Sequence, residues 1–254
     1  MKKITVQGTE VLIEGQGPET IVCIHGWPDT HRLWDRTVQA LQGRYRCVRF
    51  TLPGFEGPPR QGQKALTLAE LTARLLAIVD AVSPGQPVTL LLHDWGCVFG
   101  YELAARHPGR VARIVAVDIG DARSPRFLKT LGAKPKLMIV FYQFWLAKCW
   151  VLGRFFSARF ADYWTRMMAR LLRSPTPQPS IHWYMNYPYA MTWLRVGGLR
   201  RRLRNGLRPP RRPLRRLWMW AVSSRLGALQ ASLPFPWPLC KGTVWRLGQM
   251  ARRR

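Results

Sequence analysis

Asp94 is the residue best placed to do chemistry in this chain. It follows the apolar run Val88-Thr89-Leu90-Leu91-Leu92-His93 and precedes Trp95-Gly96-Cys97. A buried strand that turns sharply into a helix holds the residue at its tip above the edge of a sheet. A carboxylate in that place, where Ser or Cys would be usual, attacks a carbon centre and leaves an ester that water must hydrolyse. The same position also suits an aspartate that caps the following helix, read over residues 97–107. No Gly-x-Ser-x-Gly competes for the nucleophile role.

The second half of such a reaction needs a general base. His31, His93 and His107 have ordinary loop or surface readings, and no His follows His182. No Asp or Glu follows Asp162. Asp118 ends an apolar run, with Asp121 three residues on, and a turn or cap is the plain reading of both.

The elements that must carry Asp94 alternate. Residues 4–14 read as one or two antiparallel strands, and Thr20-Ile21-Val22-Cys23-Ile24 as a strand buried on both faces. Asp29 or Thr30 caps a helix over 31–41. A strand over 46–50 follows, then a Pro/Gly loop. Thr67-Leu68-Ala69-Glu70 is a capping box that opens a helix to Val82. The Asp94 strand, its helix and a strand over 113–117 complete the series. Strands and helices in this rhythm build a mostly parallel sheet covered on both faces, with ligands bound beyond the carboxyl ends of the strands. Residues 25–28, Asp94-Trp95 and 118–121 meet at that edge. From residue 122 the pattern becomes helical and aromatic. The run over 137–147 is too short to cross a membrane, which needs roughly 20 apolar residues, and reads as a buried helix.

The ordered set His25-Gly26-Trp27-Pro28, Gly54-Phe55-Glu56-Gly57 and His93-Asp94-Trp95-Gly96 resembles the α/β-hydrolase superfamily, and within it the epoxide hydrolases and haloalkane dehalogenases. The resemblance covers residues 4 to about 195. It implies an α/β-hydrolase core over 1–121, a helical cap over 122–195, and a segment over 196–254 unlike the family. It implies Asp94 as nucleophile and the backbone N–H groups of Trp27 and Trp95 as an oxyanion hole. It also implies a cis peptide before Pro28, His25 and Pro28 beside the substrate, and Asp118 as the acid that orients a catalytic His. Cap tyrosines, with Tyr142 and Tyr187 as candidates among five, would protonate an epoxide oxygen. A tryptophan N–H at Trp95 would cradle a halide. The expected partner is a small epoxide, alkyl halide or ester, with no metal or organic cofactor. Leu92 departs from the family, which keeps a small residue two positions before the nucleophile.

The chain has 254 residues, 47% of them apolar, enough for such a core. Its five Cys are scattered, which suggests neither a disulfide framework nor a zinc site, and a cytoplasmic location is the default. No apolar run backs Lys2-Lys3, so no secretory signal is read. The net charge is +27 and uneven: residues 1–162 carry +8, residues 163–254 carry +19 without one acid. The Arg-rich tail reads as a nucleic-acid or membrane-surface arm, as a solvated tail, or, the preferred reading, as the product of a shifted reading frame in GC-rich codons. That last reading predicts that the chain as written lacks the base needed for turnover. It also predicts an open sheet edge.

Overall fold

The computed structural model describes residues 1–59, 66–117 and 132–194, and the backbone of Arg216–Leu217. Among the described residues seven strands form one mixed sheet in the order β1-β2-β4-β3-β5-β6-β7. They are β1 (Lys2–Val6), β2 (Thr9–Glu14), β3 (Thr20–Ile24), β4 (Arg46–Phe50), β5 (Val88–His93), β6 (Val111–Val117) and β7 (Arg216–Leu217). The hairpin β1–β2 joins β4 antiparallel, and β4, β3, β5, β6 and β7 run parallel.

Period-two patterning explains how the parallel strands are held. Val22, Ile24, Leu90 and Leu92 enter the large core, while Ile21, Cys23 and Leu91 point to a smaller cluster beneath Trp34 and Val38. Full burial of one aliphatic side chain stabilises by roughly 1.5–3 kcal/mol. That exceeds the ~1 kcal/mol span of strand propensities, so burial on two faces decides that these segments are strands. Helix α1 (Asp35–Leu41) covers the smaller cluster. Helices α2 (Leu68–Val82) and α3 (Trp95–Arg106) cover the larger. Buried Arg49 of β4 reaches Glu14 at 2.8 Å and also pairs with Asp35, tying β2, β4 and α1 together.

Two expectations shift in detail. The helix read over 31–41 is a 3-10 turn, His31–Trp34, followed by α1. Thr30 is its cap, accepting from Arg32 N–H, because Asp29 is engaged elsewhere. The Thr67–Glu70 capping box is present as expected.

The described part of the segment expected as a cap, called the cap below, contains α4 (Ala133–Phe155), α5 (Ala158–Leu171), 3-10 turns Gln178–Ser180 and Trp183–Asn186, and α6 (Tyr187–Trp193). The reading of 137–147 as a buried helix is corrected. Helix α4 is 23 residues long, and it buries Leu146, Ala147, Cys149 and Trp150 while its outer face stays in solvent. An apolar run longer than one inward face has no second surface to cover it. Beyond residue 194, the only described element is β7, which pairs with Arg113 and Ile114 of β6. The tail as a whole lies outside the described residues.

Candidate active site

Asp94 stands between β5 and α3 with φ 48° and ψ −122°. A non-glycine residue rarely accepts positive φ, and such strain persists only where the surroundings impose it. Here α3 begins at once, and Cys97 N–H donates to the Asp94 carbonyl at 2.9 Å. The Asp94 side chain makes no capping hydrogen bond to α3. It turns instead toward the loop after β3, where Oδ2 accepts the Trp27 backbone N–H at 2.7 Å. The helix-capping reading of Asp94 is thereby set aside.

Gly26 permits this approach, and Gly100 makes room beneath the turn. A Cβ on Gly26 would lie 2.5 Å from Asp94 Oδ2 and 2.5 Å from the Trp95 nitrogen. A Cβ on Gly100 would lie 2.5 Å from Leu92 Cδ1 and 2.6 Å from its Cδ2. Leu92 therefore fits beneath the turn because α3 offers a gap at Gly100. Trp95 N–H is the first of the helix and has no intrahelical acceptor. Its nitrogen and Asp94 Oδ2, the acceptor of Trp27 N–H, both lie against Gly26.

The loop His25-Gly26-Trp27-Pro28 is held from beneath and from above. Beneath, His25 is fully buried. Its Nε2 accepts Leu52 N–H at 2.8 Å, so Nδ1 carries the proton and donates to the Gly26 carbonyl at 2.9 Å. Burial drives its pKa down to about 3, against the smaller upward pull of the Gly26 contact. Both nitrogens of a neutral ring are committed to backbone. His25 is thus a clip for the loop, where the resemblance implied a substrate contact. Above, Trp27 Nε1–H donates to Asn186 Oδ1 at 2.8 Å, and Asn186 Nδ2 donates to Thr165 Oγ1 at 2.8 Å. The cap thereby holds the indole of the loop after β3. Pro28 is buried after a cis peptide bond.

Cap aromatics roof the turn. The Tyr189 ring lies 5.1 Å from Trp95 and 5.8 Å from Trp27, and Tyr142 of α4 meets Tyr189 at 6.1 Å. Tyr142 is half-buried, with its hydroxyl 3.4 Å from Gln143 Nε2. Tyr187 is buried between Phe55 at 5.7 Å and Phe99 at 6.5 Å, and its hydroxyl has no partner among the described residues. Burial pushes that hydroxyl well above the usual phenol range. Tyr184 is also buried, against Gly54.

His93, the residue before Asp94, has Nδ1 3.9 Å from Asp29 Oδ2, and Asp29 Oδ1 accepts the Thr176 hydroxyl at 2.8 Å. Burial raises the Asp29 carboxyl, and His93 and Thr176 partly offset the rise. Tyr189 is one of the five cap tyrosines named from the sequence, whereas Asn186 and the Asp29–His93 pair were not singled out. Their partners lie up to 159 residues away, and no spacing encodes that distance. Asp118 and Asp121 lie outside the described residues.

Comparison with known proteins bears on this geometry. A family model described as "alpha/beta hydrolase fold" matches residues 19–205. The "Probable oxidoreductase EphD" of Mycobacterium tuberculosis is 39% identical over 101 residues, 39% of this chain and 17% of that protein. A haloalkane dehalogenase of Mycolicibacterium smegmatis is 35% identical over 103 residues, 39% of this chain and 33% of that protein. The chain therefore spans a third or less of the length of these relatives. A point mutant of an epoxide hydrolase from Bacillus megaterium superposes with a TM-score of 0.55 at 20% identity. That superposition covers 73% of this chain and 70% of that one, and speaks to the fold alone.

Proposed function

The chain belongs to the α/β-hydrolase family, and from that premise we propose that Asp94 is the nucleophile of an aspartyl-ester hydrolase of the epoxide hydrolase type. One observation carries the reading. The Asp94 carboxylate is turned away from α3 onto the Trp27 N–H, at a strained position that a mere cap would not need. Asp94 Oδ1 would attack an epoxide carbon, the ring C–O bond would break, and the alkoxide would take a proton from a cap hydroxyl. Tyr142 is the proposed donor, since it is half-buried and sits on the ring that roofs Trp27 and Trp95; Tyr187 is the second candidate. Backbone donors on the ester oxygen are typically worth ~3–4 kcal/mol in the transition state of the hydrolysis that follows.

A halide-releasing reaction is the alternative, and the dehalogenase relative favours it. Against it, the Trp27 indole N–H is already given to Asn186, which leaves Trp95 to cradle a halide. Ester hydrolysis then needs a base, and no His follows His182 in these residues. The reading therefore holds that the ester forms and persists. Asp118 remains the proposed partner of such a base.

Intact-mass measurement tests this. A reactive epoxide should add its whole mass to Asp94, and an alkyl halide its mass less the halide and the carboxyl's charge-balancing proton. The adduct should be stable for hours and absent in Asp94→Asn. An unmodified folded protein after prolonged exposure to both reagents would remove the nucleophile reading.

A further inference from the structure

We infer that the outer face of the cap docks on an anionic lipid surface. This stands apart from what Asp94 does. Leu137, Val140, Phe141 and Phe144 recur at helical spacing on α4 and lie 71, 47, 52 and 42% exposed. The patch is continuous across to α5. Phe141 meets Trp145 at 5.9 Å, Trp145 meets Trp164 at 5.1 Å, and Trp164 touches exposed Phe160 and Tyr163 at 5.8 and 5.4 Å. Contiguous exposed rings of this kind mark an interaction surface.

Charge selects the partner. Residues 132–194 carry eight Lys and Arg against a single acid, Asp162. Asp162 is turned inward: Oδ1 accepts Trp183 N–H at 2.7 Å, and Oδ2 lies 3.9 Å from both Arg166 and His182. Exposed Lys134 and Lys136 flank the stripe at one end. At the other, Lys148 Nζ sits 4.7 Å from the Phe144 ring centroid, so its stem follows the apolar face while its charge rides above. An apolar helix face rimmed by Lys and Arg lies in the plane of a membrane, rings among the acyl chains and cations on the headgroups. Among the described residues no helix is long and apolar enough to cross one.

Other occupants fit less well. Residues 195–254 hold 16 Lys and Arg and no acid, so like charge opposes their folding onto this face. A second copy would meet the same repulsion. Duplex nucleic acid would match the charge and leave the apolar rings in water.

The test is flotation of the full chain with phosphatidylcholine vesicles, with and without half phosphatidylglycerol, at about 0.15 and 0.5 M salt. The comparison is the triple variant Leu137→Ser, Phe141→Ser and Phe144→Ser, whose sites are exposed and whose melting temperature is checked. Expected is binding to the anionic vesicles that partly survives high salt in the parent and weakens about 30-fold or more in the variant, since the rings no longer leave water. Equal binding by parent and variant, or complete loss in high salt for both, would assign any vesicle binding to the Arg-rich tail and overturn the proposal. So would self-association without vesicles that the triple variant abolishes, or DNA binding that the variant loses in equal measure.

Discussion

The Leu92–Gly100 contact yields a prediction whose sign reverses with background. Leu92 is fully buried two residues before Asp94, and a Cβ on Gly100 would press to within 2.5 Å of it. Gly100→Ala alone adds overpacking of ~1–3 kcal/mol and recovers ~1 kcal/mol of helix propensity. The net is a loss of about 1 kcal/mol. Leu92→Ala alone opens a cavity and costs ~2–5 kcal/mol. In that background the methyl added by Gly100→Ala meets empty space. The substitution then recovers the same propensity and buries a methyl worth ~0.8 kcal/mol. It should stabilise by about 2 kcal/mol. The coupling of about 3 kcal/mol stands at the upper end for touching residues. Each kcal/mol moves the midpoint of a domain of this size by about 2–4 °C. Four proteins followed by thermal or urea unfolding close the cycle. Effects of Gly100→Ala that agree within ~0.5 kcal/mol in both backgrounds would refute the claim that α3 makes room for Leu92.

Two further outcomes follow from the loop over residues 25–28. His25 is neutral in the fold with a pKa near 3, so below about pH 6.5 the unfolded chain binds a proton the fold refuses. Its contribution is complete above that pH and lost as pH falls toward 3, about 3 kcal/mol of it by pH 4. Urea midpoints should therefore fall less steeply between pH 6.5 and 4 in His25→Asn than in the parent, though the variant starts lower; parallel curves would contradict this. Asn186→Ala leaves Trp27 Nε1 and Thr165 Oγ1 without their partner, for a loss of ~2–4 kcal/mol. It should also slow alkylation of Asp94, read by timed mass spectra, and unchanged stability and rate would sever the link between Asn186 and the site.

The strands of the core were legible because burial on two faces writes itself as runs such as Thr20–Ile24 and Val88–His93. The turn at Asp94 was legible from the same run, since the carboxylate falls where the strand must stop. What the sequence could not express was direction. That Asp94 turns onto Trp27 and leaves α3 uncapped depends on the close approach that Gly26 allows from a segment far away in the chain. The family resemblance placed His25 beside the substrate, yet its ring turns back to Leu52. The cap helix over 133–155 was legible as a helix and misjudged as buried, because apolar residues on its two faces look alike in sequence and only the inner face meets a partner. Asn186 lies in an aromatic run and gives no sign of its pairing with Trp27.

That pairing has a cost for adaptation. In a modular enzyme the lid can drift to suit new substrates while the catalytic platform stays fixed. Here one amide from the lid holds the indole of Trp27, the residue whose backbone N–H is proposed to receive the negative charge. A lid rearrangement that admits a larger substrate would tilt Trp27 and disturb, in the same stroke, the N–H that holds the Asp94 carboxylate. Selection for new specificity in this scaffold would then proceed through paired changes at 27 and 186, or through residues of α4 that leave the amide where it is.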